Sequence, residues 1–260
     1  MKLLRHILAV LGPLAVLSGV LGMTGRLVDS RRELRAVSSS SAKYIGDFPQ
    51  NLKQITELVK STQRHLVVVA DYPGYANYTD PKLFDEYWKE IKALAARSAP
   101  KVRIDVYFYN SATADCAQQL QFAQKRSPES ADAWKTDPRF ARYMTHRRIP
   151  ENQQPRTSAA LDQLLLKFDE DMIRQMQDLD IRVRRVSVLL PLFIWMKDEE
   201  EAVFSFYNLG DDVREVSLET RDAQLIQTLL ALEKAISEGK VPGAPCVPEH
   251  VVTPQHPAVH

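Results

Sequence analysis

The sequence predicts an α/β domain built on a mixed sheet flanked by helices. Three observations lead there. His65 to Ala70 (HLVVVA) and Val102 to Tyr109 (VRIDVYFY) are short β-branched and aromatic runs with a helical pattern between them. That is a strand–helix–strand unit, which requires parallel strands. Farther on, two extended segments meet at an acidic turn, which reads as a hairpin and therefore as antiparallel strands. Hydrophobic residues make up 45% of the chain and charged residues 26%, enough apolar content to fill one core.

The elements follow in order. Ile7 to Met23 (ILAVLGPLAVLSGVLGM) carries no charge, and Thr24 and Gly25 bring it close to the ~20 residues that span a bilayer core. Residues 1–25 are therefore read as a membrane anchor, with a cleaved signal peptide as the rival reading. Lys2 and Arg5 precede the span, while Arg26, Arg31, Arg32 and Arg35 follow it. This bias favours a single-pass anchor with the domain on the cytoplasmic side. Residues 26–44, including the Ser-rich RAVSSSSA, read as a tether.

The domain is expected over residues 45–239. A helix should open at Asp47-Phe48-Pro49 and bury Leu52, Ile55, Leu58 and Val59. After the first strand, Asp71 leads a loop rich in tyrosine: Tyr72, Tyr75 and Tyr78. Thr79 or Asp80, followed by Pro81, starts the next helix, whose apolar face is Phe84, Tyr87, Trp88, Ile91 and Leu94. Residues 111–156 read as a helical insertion. From Ser158 to Leu179 a stripe of Leu161, Leu164, Leu165, Phe168, Met172, Met176 and Leu179 marks a long amphipathic helix. Extended segments run from Ile181 to Met196. Lys197-Asp-Glu-Glu-Glu201 is the turn, and AVFSFY returns as the partner strand. Val213 to Leu218 reads as one more strand. A last helix opens at Arg221 or Asp222 and ends at Gly239, and the Pro-rich residues 240–260 read as a disordered tail.

Composition excludes some chemistry. The net charge is +1, so no global field points to nucleic acid. Of nine glycines, only Gly46, Gly74, Gly210 and Gly239 fall in the domain, and no Rossmann or P-loop glycine motif can be built from them. Cys116 and Cys246 form neither a ligand cluster nor a disulfide framework. No cofactor and no metal is expected. The sequon Asn77-Tyr78-Thr79 is read as chance.

The run Pro191-Leu-Phe193-Ile-Trp-Met-Lys197-Asp198-Glu-Glu-Glu-Ala202-Val-Phe-Ser205-Phe-Tyr-Asn208 resembles the hairpin of the phospholipase D superfamily, in a single half. There the pattern is roughly H-x-K-x4-D, a turn, then a strand closing in G-S-x-N. The resemblance puts Asp198 on the motif aspartate, Asn208 on the closing asparagine, Ser205-Phe206 on the G-S pair, and Glu215 on a downstream acid. It puts Pro191 on the histidine and Phe193 on the lysine. The resemblance implies a phospholipase D-like fold with a degenerate site, because the family's nucleophile and phosphate-neutralising cation are both absent. The expected role is a membrane-anchored module that binds a ligand, lipid or protein. The alternative is a phosphodiesterase or phosphatidyl-type transferase rebuilt around Lys197, Asp198 and Glu215. Convergence of those three groups would mark the enzyme.

Other candidates come from the residues alone. Asp71 with Tyr72, Tyr75 and Tyr78 lies where ligands bind in open α/β sheets, beyond the carboxyl ends of strands. Its alternative is a loop whose rings pack on the domain. Arg139, Arg142, Arg147 and Arg148, with His146 and Arg156, form a basic stretch that would suit anionic headgroups on a tethered domain. The alternative there is a solvated insertion. Expected partners are the membrane, an anionic lipid or protein, and a second copy of the chain as a homodimer. Nucleic acid is not expected, because aromatics to stack on bases are few there.

Overall fold

The computed structural model describes residues 41–110, 113, 133–190, 192–208 and 214–240. The anchor, nearly all of the tether, Pro191, both cysteines and the tail beyond Lys240 lie outside them.

Seven strands form one mixed sheet in the order β1-β7-β6-β5-β2-β3-β4. The strands are β1 (Lys43–Asp47), β2 (His65–Val69), β3 (Arg103–Tyr109), β4 (Arg182–Val186), β5 (Phe193–Lys197), β6 (Glu201–Asn208) and β7 (Arg214–Thr220). β2, β3 and β4 are mutually parallel. β5 runs antiparallel to β2, and β5, β6, β7 and β1 then alternate. The helices are α1 (Leu52–Ser61), α2 (Pro81–Ala95), α3 (Ala133–Thr136), α4 (Pro138–His146), α5 (Ser158–Asp178) and α6 (Ala223–Ser237).

The sheet alternates as strand geometry requires, and each face has its own core. Leu66, Val68, Phe193, Trp195 and Val203 point to one side, where they meet α1, α2 and α5. Val67, Val69, Ile194, Met196 and Phe204 point to the other, where Ile226, Leu229 and Ile236 of α6 cover them. A smaller cluster of Tyr143, Met144 and Leu161 ties α4 to α5.

Side-chain caps start several helices. Asp80 accepts from Leu83 N at α2, Thr157 from Ala160 N at α5, and Asp222 from Gln224 N and Leu225 N at α6. Two boundaries differ from the sequence reading. The residues expected to end a tether and open a helix instead form β1, and α1 begins at Leu52 after a turn at 48–51. β1 is held by pairing with β7, at the far end of the chain, so no local pattern announces it. Within the expected helical insertion, the described residues form two helices, α3 and α4, divided at Asp137-Pro138, where proline starts the second.

The β5–β6 connection is a tight turn in which Glu200 N donates to Lys197 O at 3.0 Å. Its central residues, Asp198 (φ 54) and Glu199 (φ 62), are both left-handed, which matches the twist of a hairpin.

Candidate functional site

Two residues beyond β2, Asp71 still lies beside β3 and opens the 71–80 loop. Tyr109 N donates to Asp71 O, and Tyr72 N donates to its carboxylate. The loop is held at four successive points. Gly74 N donates to Asp169 Oδ1 of α5 at 3.1 Å. Tyr75 Oη donates to Glu215 Oε1 of β7 at 2.5 Å. Asn77 Oδ1 accepts from Nε and Nη2 of Arg147. Asp80 caps α2.

Around Tyr75 lies a fully buried polar cluster. Asn51 Nδ2 donates to Tyr75 Oη (2.8 Å) and to Ser217 Oγ (2.7 Å), and Ser205 Oγ donates to Glu215 Oε1. Asn51, Ser205 and Ser217 are each 0% exposed and Glu215 is 5%. Asn51 Oδ1 is one of two buried side-chain atoms without a hydrogen-bond partner among the described residues, Tyr78 Oη being the other.

This burial sets the protonation. Desolvation pushes Glu215 up to about 7, against the hydroxyls of Ser205 and Tyr75, and the charge of Asp71 adds to the rise. Desolvation raises Asp169 to about 7 as well, opposed by the Gly74 N–H and helped by Asp71. Burial raises the Tyr75 hydroxyl, with the Glu215 charge second. The end of β2 is therefore ringed by acids. Arg147 lies over the rings of Phe168 and Phe84, but its guanidinium is committed to Asn77 and Asp85.

The hairpin positions separate. Phe193 is 2% exposed and sits in the core, its ring 6.3 Å from that of Tyr75, which in turn lies 4.8 Å from Trp195. Pro191 lies outside the described residues, and for Asn208 the structure gives only its backbone pairing with Arg214. Asp198 turns back on the start of β2. Its Oδ1 accepts from Arg64 N and His65 N, and its Oδ2 from Gln63 N. Burial works against that carboxylate's charge, yet the three N–H groups hold it below the usual range. Lys197 pairs with Glu201 at 2.7 Å and donates to Ser61 Oγ.

Lys197 opposes Glu201 on β6, whereas Glu215 opposes Tyr207. Six residues of strand, roughly 20 Å, separate those rungs. Lys197 and Asp198 thus stand at one end of the hairpin and Glu215 at the other.

Each described histidine already has an acid. His65 Nε2 lies 2.8 Å from Asp105, at the start of β2 rather than its end, and His146 Nε2 lies 2.7 Å from Asp85. No group of three His, Cys, Asp or Glu side chains is placed to hold a metal ion among the described residues.

The loop tyrosines face three different places. Tyr75 enters the core under α1 and α2, Tyr72 packs toward the α6 side, and Tyr78 stacks on Tyr143 at 5.5 Å. Asn77 of the sequon is 3% exposed and bonded to Arg147, so the folded chain offers no amide there for glycosylation. In the basic stretch, Arg139, Arg142, Arg148 and Arg156 are exposed, with Arg139 paired to Asp137, while Arg147 is turned inward.

Sequence reasoning missed Asn51, Asp169 and Ser217 as members of this region. Asp169 had a local signal: an acid one residue from Phe168, on the apolar stripe of α5. Asn51 and Ser217 had none, because their meeting depends on β1 and β7 pairing.

No family model matches the chain. No curated protein matches it either. Among solved structures it is similar to TrmBL2, an archaeal chromatin protein with a novel mode of DNA binding, at 10% identity and a TM-score of 0.41. That match covers 80% of this chain and 59% of that one, so the chain spans about three fifths of TrmBL2. It is similar to NucT from Helicobacter pylori at 10% identity and a TM-score of 0.38, covering 76% and 97%. It is also similar to Nuc from Salmonella typhimurium, a phospholipase D family member, at 8% identity and a TM-score of 0.38, covering 79% and 97%. Likenesses at this level assign no residue and no ligand, so the DNA binding described for TrmBL2 leaves the question of nucleic acid where the sequence put it.

Proposed function

We propose that this chain is a membrane-tethered, phospholipase D-like binding module whose site does not hydrolyse phosphodiesters, and that it engages anionic lipid headgroups through its insertion. The observation that carries the reading is Phe193. Where the family pattern calls for a lysine, a phenylalanine is buried against Tyr75, whose ring also meets Trp195. Among the described residues, Asp71, Asp169 and Glu215 gather at the end of β2, and a phosphate there would meet those acids, while Arg147 is bound to Asn77 and Asp85. The separation of Lys197 and Asp198 from Glu215 argues against a site rebuilt from those three.

The lipid half of the reading rests on Arg139, Arg142, Arg148 and Arg156, which are exposed around α4 and the turn after it. Each such charge near an anionic surface contributes about 1 kcal/mol. The hydrophobic residues 7–25 would hold the domain within reach of that surface. The test is flotation of residues 41–240 with vesicles of phosphatidylcholine alone or with added phosphatidylserine. Binding is expected only with phosphatidylserine, falling steeply with salt and at least tenfold in Arg139→Glu/Arg142→Glu/Arg148→Glu. Equal binding to both vesicles, or none to either, would contradict it.

A further inference from the structure

The sheet ends on a strand whose outer side no described residue pairs. β4 stands last in the strand order and bonds to β3 alone among the strands. Asn110 N donates to Val186 O at 2.9 Å, and that bond fixes the phase of the ladder. In a parallel pair every second residue turns both backbone groups to the neighbour, so Arg182, Arg184 and Val186 face β3. Val183 and Arg185 turn their N–H and C=O groups outward. We propose that this edge receives an acidic, extended segment of another protein, added as an antiparallel strand. The inference goes beyond the lipid-binding reading and uses none of the arginines around α4.

Three arginines give the edge its sign. Arg182, Arg184 and Arg185 are all exposed. Side chains alternate along a strand and Val183 packs on the α5 side, so Arg185 projects on that side and Arg182 and Arg184 on the α6 side. The acids nearby are already engaged. Asp105 is held by Arg103 and His65, and Glu233 of α6 accepts from Tyr107 Oη. Asp180, which feels the charge of Arg182, pairs with Lys101. Arg184 lies 6.0 Å over the Tyr107 ring, and its Nη1 donates to Ser237 O at 3.4 Å. None of the three arginines forms an ion pair among the described residues.

The same charges choose the occupant. Two copies of β4 paired edge to edge about Arg184 would set that residue against its own counterpart, and like charges directly opposite are destabilising. A neutral strand would leave the arginines uncompensated, which is how exposed edges are guarded against aggregation. A strand bearing acids reverses the sign and gains the backbone bonds as well.

Antiparallel pairing also sets the order of residues in the segment. Val183 and Arg185 would each exchange both backbone bonds with the residue opposite. Arg182 and Arg184 would take the alternate positions, where facing side chains come closest. From its N-terminus the segment meets Arg185, Arg184, Val183 and Arg182 in turn. It should therefore read acid, acid, β-branched, acid, with the β-branched residue beside Val183.

A labelled peptide, Thr-Glu-Glu-Val-Glu-Thr, titrated with the full-length chain in neutral detergent micelles and followed by fluorescence anisotropy, tests this. Saturable binding is expected, with amide exchange slowed at Val183 and Arg185. Proline in place of the peptide's valine keeps every charge but removes the N–H that Val183 O accepts, and should weaken binding at least about tenfold. Arg182→Glu/Arg184→Glu/Arg185→Glu should lose the acidic peptide by a similar factor and bind Thr-Lys-Lys-Val-Lys-Thr instead. No binding of the acidic peptide would overturn the proposal and leave the arginines as guards of a free edge. Equal binding of the proline peptide, or binding that survives the triple substitution, would overturn it as well. Self-association of the unmodified chain that the triple substitution abolishes would give the edge to a second copy and refute an acidic partner. Should the triple variant fail to fold, the proline peptide decides on the unmodified chain.

Discussion

Gly74 and Glu215 are where single atoms decide most. Gly74 has a negative φ, so its constraint is spatial: a Cβ there would stand 2.7 Å from Asp169 Oδ1, and the carboxyl would have to turn away from the Gly74 amide to admit it. Gly74→Ala is expected to destabilise by about 1–3 kcal/mol in urea unfolding. In Gly74→Ala/Asp169→Ala the two costs should sum to more than the double variant shows, because the clash disappears with its partner. Glu215 is raised by burial first, from an ordinary 4.5 to about 7. A carboxyl raised in the fold stabilises it at low pH and loses that contribution as pH climbs to about 7. The fall from about pH 5 to 8.5 should amount to about 2–3 kcal/mol from this residue. Glu215→Gln keeps an acceptor for Tyr75 and Ser205 but cannot ionise, so its stability should decline less over that range by this amount. Equal declines in urea midpoints would refute the assignment. The sequence flagged Glu215 and Tyr75 by position but could not show that they touch, because the contact crosses the sheet from a loop to β7.

Among the elements, the β5–β6 hairpin gives Asp198 a structural task. Asp198 holds three backbone amides at the mouth of β2, in a turn whose two central residues both have positive φ. Asp198→Ala would leave those donors unpaired at a partly buried strand end. The expected cost is about 2–4 kcal/mol, measured by thermal or urea unfolding. A cost within ~0.5 kcal/mol, the range of an ordinary surface change, would contradict this. Locally encoded elements were legible. α2 and α6 begin at the capping aspartates Asp80 and Asp222, α5 begins at Ser158 as its apolar stripe implies, and the strand–helix–strand unit is parallel. β1 was not legible. Lys43–Asp47 is five residues with a glycine inside and no buried run, and it becomes a strand only through β7.

At the scale of the molecule, one sheet separates two ends with different work. The β5–β6 turn end binds strands together through Asp198, Lys197 and Glu201. The other end carries Asp71, the gripped loop and the acid-rich polar cluster. A phosphodiesterase needs a nucleophile and a cation at one place, and under the proposed reading the buried Phe193 takes the cation's position. The most direct test is turnover of bis(p-nitrophenyl) phosphate by the full-length chain in detergent micelles, across the pH range where the two buried acids titrate. The expected result is release of p-nitrophenol at the uncatalysed rate, unchanged by Glu215→Gln or His65→Ala. Turnover well above that rate, lost in either variant, would show a working site and contradict the account.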